Sequence, residues 1–113
     1  MSIQHFFYKD LMKILQDLNV DLHTHSTASD GSLTPSQLVV RAIEHGVDIL
    51  ALTDHDTVSG IAEGLEEAKG TNLTFIPGIE ISTMWGGNCI HVVGLDIQFN
   101  NPKLKEALLQ IQK

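Results

Sequence analysis

The sequence Val20-Asp21-Leu22-His23-Thr24-His25-Ser26 carries two histidines one residue apart. Residues 18–24 are predicted to form a strand, in which side chains point alternately to opposite faces. The imidazoles of His23 and His25 should therefore lie on the same side, where one divalent metal ion can bind both rings. A His-x-His pair is only suggestive by itself, so its interpretation depends on the residues that follow.

Strands and helices are predicted to alternate along the rest of the chain. Thr34-Pro35-Ser36-Gln37 is typical of a helix start, with Thr34 as the N-cap and Gln37 completing a capping box, and Gly46 should end that helix. Further strands are predicted at residues 47–53, 73–81 and 89–97, the last two antiparallel, and further helices at residues 58–69 and from Asn101-Pro102 onward. This order favours an α/β fold with a mainly parallel sheet, whose functional groups gather at the carboxyl ends of the strands.

Ligand-type residues occur at or just after each predicted strand. Taken singly, each has an ordinary explanation: Asp30-Gly31 is a turn signal, Glu80 could lie on the surface, and His91 could be a core histidine. However, an ionisable side chain within an apolar strand is costly unless it is paired or binds a metal. The joint occurrence therefore favours a metal centre built from His23, His25, Asp30, His55, Glu80 and His91.

Histidines and carboxylates without a thiolate suit zinc, manganese or iron, and do not suit a structural cysteine-rich zinc site. A carboxylate such as Glu80 can bridge two ions, and in two-metal sites the ions lie about 3.5–4 Å apart and clamp both oxygens of a displacement at phosphorus. His5 and His45 have no such neighbours, and we interpret His45, in the last turn of a helix, as structural.

Composition limits the range of partners. The 113 residues suffice for one domain, and their net charge of −7 argues against broad binding to long nucleic acid. A small phosphorylated ligand remains compatible with this charge, because bound cations attract phosphate. No segment has the pattern of a membrane span or a signal peptide, so a cytoplasmic location without membrane contact is expected.

Five motifs together resemble the PHP (polymerase and histidinol phosphatase) superfamily. They are Asp21-Leu22-His23-Thr24-His25-Ser26, Ala28-Ser29-Asp30-Gly31, Leu52-Thr53-Asp54-His55-Asp56, Pro77-Gly78-Ile79-Glu80-Ile81-Ser82 and Ile90-His91-Val92-Val93-Gly94. The residues of these motifs are most similar to those of the branch of 3′,5′-nucleoside bisphosphate phosphatases that also act as 5′→3′ exoribonucleases. The resemblance implies a distorted (β/α)7 TIM-like barrel with two or three divalent ions, most often manganese, with zinc or iron as alternatives.

The resemblance also implies roles for individual residues. His23 and His25 would bind a first ion, Glu80 would bridge the first and second, His91 would bind the second, and Asp30 and His55 the third. Three aspartates would orient the histidines without binding an ion themselves, namely Asp21, Asp54 and Asp56. The reaction implied is hydrolysis of a phosphate ester of a small nucleotide or of an RNA 5′ end, while the substrate-binding residues are left open.

Members of the superfamily continue well beyond the length of this chain and carry further ligands there. Residues 1–113 are therefore expected to be a single, apparently truncated, N-terminal PHP-domain fragment, with the motifs in residues 18–102 and an uncertain extension at residues 1–17. A missing C-terminal half or self-association could complete it. Two alternatives stay open: a non-catalytic metal- or phosphate-binding fragment, and another PHP phosphatase such as a histidinol-phosphate phosphatase.

Overall fold

The computed structural model of the protein describes residues 12–13 and 16–111. Most of the extension predicted at residues 1–17 lies outside these residues, as does His5. From residue 20 onward, the described strands and helices follow in the order β1 (Val20–Thr24), α1 (Pro35–Glu44), β2 (Ile49–Leu52), α2 (Ile61–Ala68), β3 (Thr74–Trp85), β4 (Asn88–Leu95) and α3 (Pro102–Ile111). Within the described residues, no helix combines the length and the apolar character that crossing a membrane requires.

The strands form one mixed sheet in the order β1-β2-β3-β4. β2 pairs in parallel with both β1 and β3, whereas β3 and β4 form an antiparallel hairpin. Gly86 and Gly87 close the hairpin with φ angles of 56° and 84°. Residues other than glycine adopt such positive φ angles only at a cost in conformational energy. The predicted α/β architecture and the antiparallel last pair are thus confirmed, and the carboxyl ends of β1, β2 and β3 meet at one edge.

Helix α1 begins and ends where the sequence predicts. The Thr34 hydroxyl accepts a hydrogen bond from the backbone N–H of Gln37 at 3.1 Å, and the Gln37 side chain accepts one from the Thr34 N–H at 3.0 Å. Beyond the helix, Gly46 has a φ of 73°. This reciprocal capping box fixes the direction in which α1 leaves the loop after β1.

The main apolar cluster lies between the sheet and the first two helices, and its buried members are Val39, Ala42, Leu50, Ala68 and Leu73. Helix α2 approaches β3 closely at Gly64, where an added Cβ would lie 2.4 Å from the Cζ atom of Phe75. Leu50 and Leu52 on β2 are almost fully buried. The central strand is therefore held rigidly, and so is the edge at which it delivers its polar residues.

Several element boundaries differ from those predicted, and the largest difference is at the end of β3. β3 runs to Trp85, four residues past the predicted end, because its pairing with β4 continues in register to the contact of Trp85 with Asn88. β2 is shorter than the predicted 47–53, although the buried Thr53 continues its direction. On α3, Leu108 is buried but Ile111 is 41% exposed, so the apolar side of this helix is only partly covered.

We expect Thr34→Ala to lower the free energy of unfolding by about 1 kcal/mol, because the substitution removes the side-chain acceptor for an otherwise unsatisfied helix N–H. Thr34→Ser keeps the hydroxyl and serves as the matched control. Urea denaturation followed by circular dichroism measures both. Equal loss in the two variants would show that the methyl group, and not the cap, matters at this position.

Candidate metal centre

The sheet brings the predicted ligands to one edge. His23 lies on β1 and His25 directly follows it, while His55 pairs with Glu80 of β3 in an isolated parallel bridge just beyond β2. His91 on β4 pairs with Ser82, which is two residues beyond Glu80 on β3 and therefore on the same face of the sheet. The histidine side chain consequently lies diagonally across from the glutamate.

Glu80 is the centre of the cluster. Its side chain is only 4% exposed, and nitrogen atoms of four histidines surround its carboxylate. His91 Nδ1 and His55 Nδ1 lie 2.8 and 3.0 Å from Oε2, and His25 Nε2 lies 3.6 Å from Oε1. His23 Nε2 makes a short contact with the same Oε1. One buried carboxylate thus faces four imidazole rings.

Asp30 approaches the cluster from the loop between β1 and α1. Its Oδ2 lies 3.2 Å from His55 Nε2, and its Oδ1 lies 3.7 Å from His25 Nδ1. The rings of His25 and His55 stack between Asp30 and Glu80, with centroids 4.4 Å apart and planes 11° from parallel. The two inner histidines are therefore held in fixed relative orientation.

The six side chains form three overlapping groups, each with ligand atoms within 4.8 Å of one another. The groups are His23–His25–Glu80, His25–Asp30–His55 and His55–Glu80–His91. The structure thus brings together all six residues singled out in the sequence. It places His45 elsewhere: this ring donates from Nδ1 to the Arg41 carbonyl at 2.9 Å and caps α1, as expected for a structural role.

Burial raises the pKa of the Glu80 carboxyl, but the hydrogen bond from His23 and the charges of His55, His23 and His25 outweigh burial and leave the pKa below its ordinary value of 4.5. Glu80 is therefore a carboxylate at neutral pH, the form in which it can bind cations.

The donor set fits divalent ions. Among the described residues, His25 Nδ1 is the buried side-chain nitrogen or oxygen that has no hydrogen-bond partner. An unsatisfied buried polar atom is costly, and this one faces Asp30 within a histidine–carboxylate group. A cation between these atoms would satisfy it. Imidazole and carboxylate ligands are those that zinc, manganese and iron accept.

The three aspartates expected behind the histidines contact backbone and hydroxyl groups. Asp21 accepts a hydrogen bond from the His23 N–H at 3.3 Å, and Asp56 accepts one from the Ser82 N–H at 2.8 Å. The Asp54 carboxylate accepts bonds from Ser26 and Ser29. Both oxygens of Asp54 accept hydrogen bonds from the loop after β1, and the residues that donate them adjoin His25 and Asp30.

Ser26 and Ser29 were not singled out from the sequence as members of the centre. Ser26 is fully buried, and both serine hydroxyls donate to Asp54. The available signal is that both serines lie within the His-x-His and Asp-Gly motifs, each next to a candidate ligand. Their partner, 25 and 28 residues away, becomes apparent only from the folded loop.

Known proteins with related sequences include an exoribonuclease and a nucleoside bisphosphate phosphatase. The chain is 55% identical over 93 residues to a 5′-3′ exoribonuclease of Haemophilus influenzae, covering 82% of this chain and 34% of that protein. It is 42% identical over 95 residues to a 3′,5′-nucleoside bisphosphate phosphatase of Chromobacterium violaceum, covering 84% and 33%.

A solved structure from Bifidobacterium adolescentis, whose description names a metal-dependent phosphoesterase, superposes with a TM-score of 0.76 at 28% identity. The matched region covers 83% of this chain and 33% of the chain in that structure. The chain thus spans about a third of the length of the relatives that it matches. The PHP domain family matches residues 21–110, which is most of the sequence, and the chain therefore belongs to the PHP domain family.

Proposed function

We propose that this chain contributes a centre for two or three divalent metal ions to a phosphoesterase that acts on small phosphorylated nucleotides or on RNA 5′ ends. The observation that carries the proposal is the convergence of four histidines on the buried Glu80, with Asp30 completing a third ligand group. The names of the related exoribonuclease and bisphosphate phosphatase support the substrate class.

We assign the ligands by the three groups and by the family pattern. His23 and His25 would hold one ion, His91 a second, and Asp30 with His55 a third, while Glu80 would contribute to the first two. Ions bound there supply Lewis acidity and lower the pKa of water, which is what displacement at phosphorus requires. Manganese suits the mixture of imidazole and carboxylate ligands, as do zinc and iron.

The exposure of the side chains in the cluster defines the side from which a phosphate ester can reach it. Glu80 stays ionised and is shielded by protein, whereas His23 and Asp30 are more than half exposed at the open side. A phosphate ester must approach from that side. Asp21 and Asp56 accept hydrogen bonds from the backbone N–H groups of His23 and Ser82, and thus support the backbone beside the candidate ligands.

We expect His25→Ala to weaken manganese binding by at least about tenfold, since losses of 10- to 100-fold follow even when a residue behind a ligand is removed. His25 belongs to two of the three groups. His45→Ala is the matched control, because His45 caps α1 and lies outside these groups. Titration calorimetry of the 113-residue chain measures the affinity.

The same proteins should be assayed for release of inorganic phosphate from a 3′,5′-bisphosphate nucleotide with manganese present. We expect release by the parent chain and by His45→Ala and none by His25→Ala. Metal binding without release by the parent chain would favour the non-catalytic alternative, in which the centre holds ions but does not turn over. Absence of manganese binding would contradict the proposed centre itself.

We expect the manganese affinity to fall as the pH drops from about 7 to about 5, because histidine ligands must be neutral and imidazole ordinarily takes up a proton in this range. The lowered pKa of Glu80 means that this carboxyl stays ionised across the range and that its protonation weakens binding only at lower pH. Calorimetry at a series of pH values measures the change. An affinity that is constant between pH 7 and 5 would contradict histidine ligation.

A further inference from the structure

The contacts of Asp54 link the segments that carry four of the six candidate ligands, which are His25, Asp30, His55 and Glu80. Its side chain is buried, with 2% of the residue exposed, and it accepts three hydrogen bonds. Oδ1 accepts from the Ser26 N–H at 2.6 Å and from the Ser29 hydroxyl at 2.8 Å. Oδ2 accepts from the Ser26 hydroxyl at 2.7 Å. These bonds to the Asp54 side chain are short, and they offset the cost of its burial.

The bonds fold the β1–α1 loop (residues 25–34) into a tight turn. The Ser26 carbonyl accepts from the N–H groups of Ser29 and Gly31, at 3.1 and 2.8 Å. Gly31 lies so close to the backbone that an added Cβ would be 2.3 Å from the His25 carbonyl oxygen. The turn therefore has little freedom, and Asp30, between Ser29 and Gly31, is carried to a defined place.

The backbone of Asp54 extends the connection to β3. Its carbonyl accepts a hydrogen bond from the Glu80 N–H at 3.0 Å, and the next residue along the chain is His55. Asp54 thus touches the neighbours of His25 and Asp30 through its side chain, adjoins His55 directly, and binds Glu80 through its main chain. Asp54 therefore connects the loop that carries His25 and Asp30 with the segment that carries His55.

We propose that Asp54 is a positioning residue for the metal centre: its carboxylate, by binding Ser26 and Ser29, holds the β1–α1 loop so that Asp30 stays within reach of His25 and His55. This inference rests on the proposed metal centre and adds to it a role for a residue that binds no ion. It differs from orientation of a histidine ring, because the Asp54 oxygens contact only the loop among the hydrogen bonds identified for this side chain.

The test measures manganese binding to the full 113-residue chain by titration calorimetry. We expect Ser29→Ala, which removes one donor to Asp54 and no ligand, to weaken binding several-fold, and Asp54→Asn to weaken it about tenfold, as for other residues that orient ligands. Ser32→Ala is the matched control, because Ser32 is an exposed serine of the same loop on the other side of Asp30. Its affinity should equal that of the parent chain.

A double-mutant cycle with Asp30→Ala separates positioning from a general structural role. If Asp54 acts through Asp30, Asp54→Asn should add little to the loss already caused by Asp30→Ala. Additive losses, or unchanged affinity in folded Asp54→Asn, would overturn the proposal. Should Asp54→Asn fail to fold, the same cycle with Ser29→Ala decides by the same criteria. Failure of the parent chain to bind manganese would instead overturn the metal centre, and the positioning role with it.

Discussion

The buried carboxylate of Glu80 is the constraint around which the described structure is arranged. Moving an ionised carboxylate out of water costs on the order of several kcal/mol of hydration free energy, unless other polar groups take the place of the water. Here the replacement is a ring of four imidazoles, delivered by β1, by the segment after β2, and by β4. The crossovers through α1 and α2 and the β3–β4 hairpin all serve to bring those rings to one place.

The sheet topology makes this delivery specific. Two parallel pairings place the carboxyl ends of β1, β2 and β3 at the same edge, and the hairpin then returns β4 past Glu80. His91 reaches the carboxylate only because it pairs with Ser82, on the face that Glu80 shares. Since side chains alternate along a strand, a slip of one residue in the hairpin register would turn His91 to the opposite face. The glycine turn at residues 86–87, which closes the hairpin in this register, therefore helps to place His91 beside Glu80.

Much of this arrangement could be predicted from the sequence because its signals are local. The capping box at Thr34, the apolar run of β2 and the alternation of strands and helices indicate the architecture, and each candidate ligand lies on a predicted strand or in the segment after one. The end of β3 could not be predicted so well, because residues beyond Ile81 stay in the strand through pairing with β4. The partners of Asp54 were also missed. A buried carboxylate takes whichever donors the fold brings to it, and here a loop 25 or more residues away supplies them.

The exposure of the ligands divides the centre into a covered inner part and an open outer part. Glu80, His25 and His55 are mostly enclosed, whereas His23, His91 and Asp30 have about half or more of their side chains exposed. In the proposed function, a phosphate ester would therefore approach from the outer side. The chain's net charge of −7 opposes an approaching anion, and the exposed carboxyl side chain of Asp30 lies on the outer side of the cluster. Phosphate binding should consequently depend on prior neutralisation of Asp30 and Glu80 by cations, because only then does the local field favour an anion.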